Sequence, residues 1–471
     1  MIDLKNTDWV LSADLAELNG KVFSVLDENK LLLDGNIEGT INIKDDIINI
    51  DIPNHHFSGH IVEGFIFGDV LHDKQSYSFE CNCVNFDSTN VYMSESAKLN
   101  IGDNEQEVKA IQDVYNLIKD YRIEHSDGSR ISKSRIKKWI DQFEEQDKMI
   151  ILKELNNIFH KRYLSKKRVF LFYGDVIIKI AKEFGFSDIP LFLKNCQFLD
   201  LQEKRKSQGV LLSLLDEYLN EKYKFRISQC ASLSRQYSIY LDDVLCTGTT
   251  FYNNLTTWFN ASFDDNITNI TAIKNGITTL RSIYVFVHSQ NFKNKSKQIS
   301  HDYSHNLSFW CITINNIVNI NLPLEIIMPL EGIEDKDIKA YKEEVINHVD
   351  NYTAKGNYTS CDNFYRNNGI PKNEAFFTNA QNREIIENAF LKKGIEILKS
   401  STPTKKNIRA LGFALPSHKN FGFGALCFTW RNIPNNTPLV FWYSGGGFTP
   451  LFDVRKSNSS ALVDFANFVV Q

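Results

Sequence analysis

Hydrophobic and polar positions alternate along the first hundred residues of the chain, and the pattern then changes to a helical period. Short alternating segments are separated by Asn, Asp and Gly turns, which is typical of antiparallel strands. These segments are residues 21–25, 30–34, 48–52 and 76–83. The pattern predicts an antiparallel β domain over residues 1–105. That domain contains no evident cluster of acids, bases and nucleophiles, so an interaction or packing role is expected for it.

Strand and helix patterns alternate between residues 106 and 330. Three apolar stripes at helical spacing come first, near residues 111–118, 136–143 and 151–159. Short apolar runs predict strands at 168–172, 196–199, 239–241, 282–287 and 308–313. Strands that alternate with helices indicate a parallel sheet with right-handed crossovers. Ligands of such sheets bind at the carboxyl ends of the strands, where the loop at 200–209 and His288 are also expected.

Residues 331–471 form a third part of different character. A charged segment and a loop-rich stretch lead to a predicted helix at 382–399, and the tail is rich in aromatic residues and glycine. This composition suits docking onto the core better than independent folding. The predicted fold class is therefore α/β, with a parallel-sheet core, an N-terminal β-rich domain and an α+β C-terminal extension.

Residues 238–250 carry the most informative pattern, Ser-Ile-Tyr-Leu-Asp-Asp-Val-Leu-Cys-Thr-Gly-Thr-Thr. A short apolar run ends on Asp242 and Asp243, a Gly/Thr loop follows, and an amphipathic helix begins at about residue 251. The first amides of a helix lack intrahelical partners and lie at the positive end of its dipole, so they can hold a phosphate. Two carboxylates at a strand end can accept hydrogen bonds from vicinal sugar hydroxyls. Together these groups would bind a ribose 5-phosphate.

This segment resembles the ribose-phosphate signature of the type I phosphoribosyltransferase fold. The matching positions are Asp242, Asp243, Thr247, Gly248, Thr249 and Thr250. The resemblance implies that the two aspartates bind ribose hydroxyls in the catalytic centre and that residues 247–250 wrap the 5-phosphate. It also implies phosphoribosyl pyrophosphate as the ligand, bound with Mg²⁺. An ordinary strand-to-helix turn capped by Thr is the alternative interpretation.

The loop after the strand at 196–199 is a second candidate. Phosphoribosyltransferases of this fold hold pyrophosphate in a loop at this place, and the corresponding residues here are Lys206, Ser207, Gln208 and Gly209. They would supply a cation, a hydroxyl and free amides at a helix start. A solvated charged loop with Ser207 as the helix N-cap explains the same residues equally well.

Two outer motifs narrow the resemblance. Residues 135–143 and 434–442, taken with the central signature, are similar to the bacterial conflict-system phosphoribosyltransferase-like proteins, the PRTase-CE group, over roughly 130–455. That group is associated with phage defence and sometimes with retrons. The resemblance implies an effector of an anti-phage defence system that binds phosphoribosyl pyrophosphate or a nucleotide and either transfers the phosphoribosyl group or cleaves the nucleotide. A catalytically inactive nucleotide-binding module that regulates a partner is the alternative. A toxin-like effector whose activity a defence-system partner protein or a phage trigger releases is a further alternative.

Composition excludes some other classes. The 471 residues carry a net charge of −4 with mixed signs, so direct nucleic-acid binding is not indicated. No apolar run approaches the roughly 18 residues of a membrane span, and the first residues show no signal pattern, so a cytoplasmic protein without a membrane partner is expected. The eight cysteines are scattered, which favours free thiols in a reducing compartment, and no metal-ligating residue is predicted.

Overall fold

The computed structural model describes part of the chain. Its described residues run from 7 to 454, without 14, 16, 19–20, 28, 45–46, 63–64, 74, 84–94, 124–129, 203–206, 333–334, 357–360 and 402–406.

The N-terminal strands form a closed antiparallel barrel. They are β1 (Thr7–Ala13), β2 (Val22–Asp27), β3 (Lys30–Leu33), β4 (Ile37–Lys44), β5 (Ile47–Ile52), β6 (His55–Val62), β7 (Phe65–His72) and β8 (Gln75–Cys83). Each strand pairs with the next, and β8 returns to β1. Alternate side chains fill the interior, where the Phe57 ring lies edge-on between Phe23 at 5.1 Å and Phe79 at 4.9 Å. The predicted antiparallel β-rich region is confirmed.

A helical layer follows the barrel. It comprises α1 (Glu95–Ile118), α2 (Lys133–Ile140), α3 (Glu145–Arg162), the two-residue strand β9 (Tyr163–Leu164), α4 (Lys166–Glu183) and α5 (Ile189–Lys194). Residue 105, the predicted end of the β domain, lies within α1. The division of the chain into three domains stays a prediction.

The strand predicted at 168–172 is wrong, because these residues belong to α4. The Ser165 side chain accepts a hydrogen bond from the Arg168 amide and so caps the helix. Buried residues then recur at helical spacing, including Tyr173, Ile177 and Ile180. A short apolar run has no period of its own, and here the residues on both sides of it decide for helix.

The central sheet is parallel, as predicted. Its strands are β10 (Cys196–Leu199), β11 (Tyr237–Leu245), β12 (Thr279–His288) and β13 (Phe309–Ile314), hydrogen-bonded in that order. The intervening helices are α6 (Ser207–Tyr223), α7 (Thr249–Asn260), α8 (Asn269–Lys274) and α9 (Ser289–Tyr303). In the register of the sheet, Leu199 lies beside Tyr240, and Asp242 lies beside Tyr284.

The helices change faces at β11. Helix α6 packs on the face that carries Ile239 and Leu241, whereas α7 and α9 pack on the face that carries Tyr240 and Tyr284. The connections on the two sides of β11 therefore have opposite hands, and the expectation of uniformly right-handed crossovers is wrong for one of them. Because the chain leaves β10 and β11 toward opposite faces, a crevice opens between their carboxyl ends.

The C-terminal extension shares its core with the helical layer. Its elements are α10 (Lys336–Gly356), β14 (Cys361–Asp362), α11 (Ala380–Ser400), β15 (Ile408–Arg409), β16 (Gly412–Phe413), β17 (His418–Lys419), β18 (Phe428–Thr429) and α12 (Leu439–Trp442). The Trp139 indole donates a hydrogen bond of 2.6 Å to the Val440 carbonyl, and β18 pairs with β9. The rings of Phe390 and Phe441 also lie against Trp139.

A buried ion network joins α11 to the segment between α10 and α11, and also to the backbone before α10. Glu387 is fully buried and accepts hydrogen bonds from Arg366 at 2.8 Å and Arg383 at 3.1 Å. Arg383 also pairs with Glu374 and donates to the Ile326 carbonyl. Buried charges persist only when they are paired and hydrogen-bonded, so these groups hold one another in place.

In the part of the chain that the structure describes, no helix combines the length and apolarity needed to cross a membrane.

Candidate functional site

Asp242 lies at the centre of the crevice between β10 and β11. Its side chain is 5% exposed, and the surrounding chain supplies hydrogen-bond donors to both carboxylate oxygens. The Ser207 hydroxyl and the Asp243 amide donate to Oδ1, each at 2.9 Å. The Gln202 amide at 2.8 Å and the Tyr240 hydroxyl at 2.9 Å donate to Oδ2. Asp242 thus ties the loop after β10 to the end of β11.

The environment of Asp242 changes its acidity. Burial, reinforced by the neighbouring charge of Asp243, raises the pKa of Asp242 from 3.8 to about 7, although its hydrogen bonds from Asp243, Ser207 and Tyr240 oppose the change. A carboxyl with a pKa near 7 can gain or lose a proton at neutral pH, which an ordinary aspartate cannot.

Asp243 points to the opposite face of the sheet and is less enclosed. Its Oδ1 accepts the Val244 amide at 2.7 Å, and its Oδ2 lies 4.0 Å from Nη1 of Arg431 in the C-terminal extension. The Tyr173 hydroxyl of α4 is buried and has no hydrogen-bond partner among the described residues. Burial and the charges of Asp243 and Asp242 raise the pKa of Tyr173 well above its usual value, so the phenol stays protonated and can donate.

The Gly/Thr loop leads into α7 through a left-handed residue. Gly248 is the N-cap of α7 with a φ of +77°, a conformation that favours glycine, and no described side chain caps this helix end. A Cβ on Gly248 would lie 2.7 Å from Cγ of Lys295. Thr249 and Thr250 are exposed and Thr247 is half-buried. The loop therefore presents hydroxyls and first-turn amides at the positive end of the helix.

Residues of the second predicted loop, at 206–209, are hydrogen-bonded to β11. Ser207 begins α6 and donates to Asp242, as described above. Gln208 is fully buried: its Oε1 accepts the Leu201 and Gln202 amides at 2.6 and 3.1 Å, and its Nε2 donates to the Leu241 carbonyl at 3.0 Å. Gly209 is half-buried, and a Cβ added there would meet no described heavy atom within 4 Å. Lys206 lies outside the described residues, and the pyrophosphate role of these four residues stays a prediction.

A hard divalent cation such as Mg²⁺ takes oxygen ligands, usually one or two carboxylates together with waters and phosphate oxygens. Asp242 does not fit as such a ligand, because both of its oxygens already accept hydrogen bonds from the chain. Asp243 could act as such an oxygen ligand. The Arg431 guanidinium lies 4.0 Å from its Oδ2, which leaves that oxygen able to bind a cation.

Sequence reasoning missed a buried cluster next to this site. Cys246, His288 and Cys427 are all buried, and the two Sγ atoms and one imidazole nitrogen lie within 4.8 Å of one another. They come from the end of β11, the end of β12 and the residue before β18. Three residues so far apart along the chain form no spacing motif, and the unusual cysteine inside the Gly/Thr loop sequence was the only local signal. Sequence reasoning also missed three residues beside the acidic pair, because no local pattern marks them: Gln202, Tyr173 and Arg431.

Comparison with known proteins identifies the family. The family model described as PRTase-CE matches residues 136–454, which is more than half of the chain, so the chain belongs to this family. No curated protein and no solved structure matches the chain.

Proposed function

We propose that this member of the PRTase-CE family binds a ribose 5-phosphate group, as phosphoribosyl pyrophosphate or as a nucleotide, in the crevice between β10 and β11. The observation that carries the proposal is Gly248. It caps α7 in a left-handed conformation, three residues after the end of β11, which carries Asp242 and Asp243 near its carboxyl end. This order brings the first-turn amides of α7, which no described side chain caps, to the same end of β11 as a pair of carboxylates. The amides suit a phosphate, and the carboxylates suit a vicinal diol.

In this proposal the two ends of the sugar phosphate have separate partners. The 5-phosphate accepts hydrogen bonds from the amides and hydroxyls of Thr247, Thr249 and Thr250. The ribose hydroxyls donate to Asp243 and, by displacing Ser207 or Gln202, to Asp242. The Tyr173 hydroxyl is a buried donor without a described hydrogen-bond partner, and we propose that it donates to a ligand oxygen near the acidic pair.

The chemistry that suits these groups is phosphoribosyl transfer or nucleotide cleavage. The bond between the anomeric carbon and its leaving group breaks as an acceptor nucleophile or water forms the new bond to that carbon, and the acidic pair stabilises the positive charge that develops on the ribose. Mg²⁺, which we propose enters with a pyrophosphate leaving group, would supply charge to that group and would be held by Asp243. The chain's own residues orient the sugar and fix its 5-phosphate.

A second candidate is favoured by one observation. Ser207, Gln202 and Tyr240 occupy the oxygens of Asp242, and Gln208 is committed to the backbone beside it. A ligand that exchanges these bonds would move the loop after β10, which is the behaviour of a nucleotide-binding module that regulates a partner. For either candidate we propose a cytoplasmic effector of an anti-phage defence system with a partner protein, a setting supported by the resemblance to conflict-system proteins.

Calorimetry with phosphoribosyl pyrophosphate, ribose 5-phosphate and AMP, with and without Mg²⁺, tests the binding site. Gly248→Ala should weaken binding at least about tenfold, because a Cβ and a strained φ displace the loop. Gly185→Ala is the matched control: Gly185 has a φ of +81°, and a Cβ there meets no described heavy atom within 4 Å. It should lose similar stability and bind normally. Unchanged binding by Gly248→Ala, or no binding by the wild type, would overturn the proposal.

Turnover separates the two candidates. With labelled phosphoribosyl pyrophosphate or nucleotides, an enzyme should release product, and Asp243→Asn should reduce the rate while the phosphate loop still binds. If ligand binds but no turnover appears even with the partner protein present, and the ligand changes affinity for that partner, the regulatory module is the function.

A further inference from the structure

The cluster of Cys246, His288 and Cys427 lies where three segments meet. Cys246 follows β11, His288 ends β12, and Cys427 precedes β18 of the C-terminal extension. His288 and Cys427 are fully buried and Cys246 is 7% exposed. The phosphate-loop proposal uses none of these side chains.

The imidazole of His288 is held in one orientation. Its Nδ1 lies 3.0 Å from the Leu245 carbonyl oxygen, which can only accept, so Nδ1 carries the proton. Nε2 therefore presents a lone pair, and it is buried without a hydrogen-bond partner among the described residues. The Phe423 ring packs edge to face on the imidazole at 4.9 Å. An unpartnered polar atom in such surroundings is costly unless a ligand satisfies it.

We propose that Cys246 Sγ, Cys427 Sγ and His288 Nε2 bind a zinc ion. Two sulfurs and one imidazole nitrogen are a ligand set that zinc takes, with a fourth position left for water or another group. Zn–S bonds of about 2.3 Å and Zn–N bonds of about 2.0–2.1 Å place tetrahedral ligands about 3.5–3.8 Å apart. The two Sγ atoms and one imidazole nitrogen of His288 lie within 4.8 Å of one another, so a small contraction closes the site.

Charge balance supports a cation in this place. Zinc binding releases one proton from each thiol and none from His288. The resulting Zn²⁺ with two thiolates has no net charge, so it can be buried without the cost of an isolated ion. The hydrogen bond from Nδ1 to a carbonyl is the outer-sphere contact typical of histidine ligands.

The consequence of zinc binding is structural. The ion would join the carboxyl ends of β11 and β12 to the C-terminal extension, and Cys246 immediately precedes the Thr247–Thr250 loop. Zinc bound by Cys246 would therefore restrict the position of the adjacent Thr247 backbone, where the loop begins. The site does not depend on which ligand the loop takes, so its test is separate from the sugar-phosphate test.

Metal content and cobalt spectroscopy test the proposal. Protein purified without chelator should contain about one zinc per chain, and the chelated protein should take up cobalt with thiolate charge-transfer and tetrahedral d–d bands. Cys427→Ser and His288→Ala should each lower zinc retention at least about tenfold. Cys230→Ser removes a half-buried thiol outside the cluster and should retain zinc as the wild type does.

Other results would overturn the zinc site. The first is a folded wild type that retains no zinc and gives no cobalt bands after reconstitution. The second is zinc content that Cys427→Ser leaves unchanged. The third is an intact mass that is lower by two hydrogens in the wild type but not in Cys427→Ser and that reductant restores, together with a Cys246–Cys427 cross-linked peptide, which would show a disulfide instead. If a variant does not fold, as circular dichroism would reveal, the wild-type zinc content and cobalt bands decide alone.

Discussion

The acidity of Asp242 predicts a pH dependence of stability with a definite sign. Its pKa is raised from 3.8 to about 7, a difference of about 3 pH units, each corresponding to about 1.4 kcal/mol. Folding therefore favours the protonated carboxyl by up to about 4 kcal/mol. Because the folded protein retains a proton that the unfolded chain has lost, the free energy of unfolding falls as the pH rises from about 4 to about 7, and then levels off.

Urea unfolding followed by tryptophan fluorescence measures this effect. Between about pH 5 and pH 8, the titration of Asp242 should lower the wild-type free energy of unfolding by about 2–3 kcal/mol. Asp242→Asn, which is neutral at every pH, should lack this part of the slope. Asp243→Asn should remove only some of it, since the charge of Asp243 is the second cause after burial.

Asp265→Asn is the control, because Asp265 is an exposed carboxylate in the turn after α7, and it should keep the wild-type slope. The reasoning is refuted if Asp242→Asn and the wild type show the same dependence on pH. It is equally refuted if the wild type becomes more stable through this range while Asp242→Asn does not.

Three further predictions concern the framework. Glu387→Gln should lower the free energy of unfolding, measured by urea titration, by about 3–5 kcal/mol, because Arg366 then loses its buried anionic partner. A change below about 1 kcal/mol would contradict this prediction. A chain that ends at residue 401 should aggregate, since it uncovers the Trp139 face of α2, and a soluble fragment that binds sugar phosphate would disprove it. A chain that starts at residue 95 keeps α1 whole and should bind the ligand with wild-type affinity by calorimetry; loss of binding would give the barrel a direct role.

The parts of the fold that depend on neighbouring residues were predictable. The strand around residues 239–241 and the helix after Gly248 are both present, and the stripe of Phe251, Leu255, Trp258 and Phe259 is buried as expected. An apolar run, a glycine and a helical period each act within a few residues, so the sequence alone displays them. The ligand roles of Asp242, Asp243 and residues 247–250 stay predictions.

The remaining features depend on contacts between distant segments. The sequence shows that Asp242 follows an apolar run, but not that Gln202, after the neighbouring strand β10, and Ser207, at the start of α6, hydrogen-bond it. The Cys246 and Cys427 thiols meet only because the extension folds back over the sheet. The helix at 168–172 was missed for a different reason, since a run of apolar residues fits a strand and a buried helix equally well.

The contact between Trp139 and Val440 has a consequence for how the protein is made. The two residues are 301 positions apart, and Gln142 pairs with Thr449 across 307 positions. At about 5–20 residues per second, a ribosome needs roughly 15–60 s to add the second partner after the first. Throughout that interval the apolar face of α2 lacks the C-terminal residues that pack against it. A ribosome that stops before residue 440 therefore leaves a product in which this apolar face of α2 lacks its covering residues.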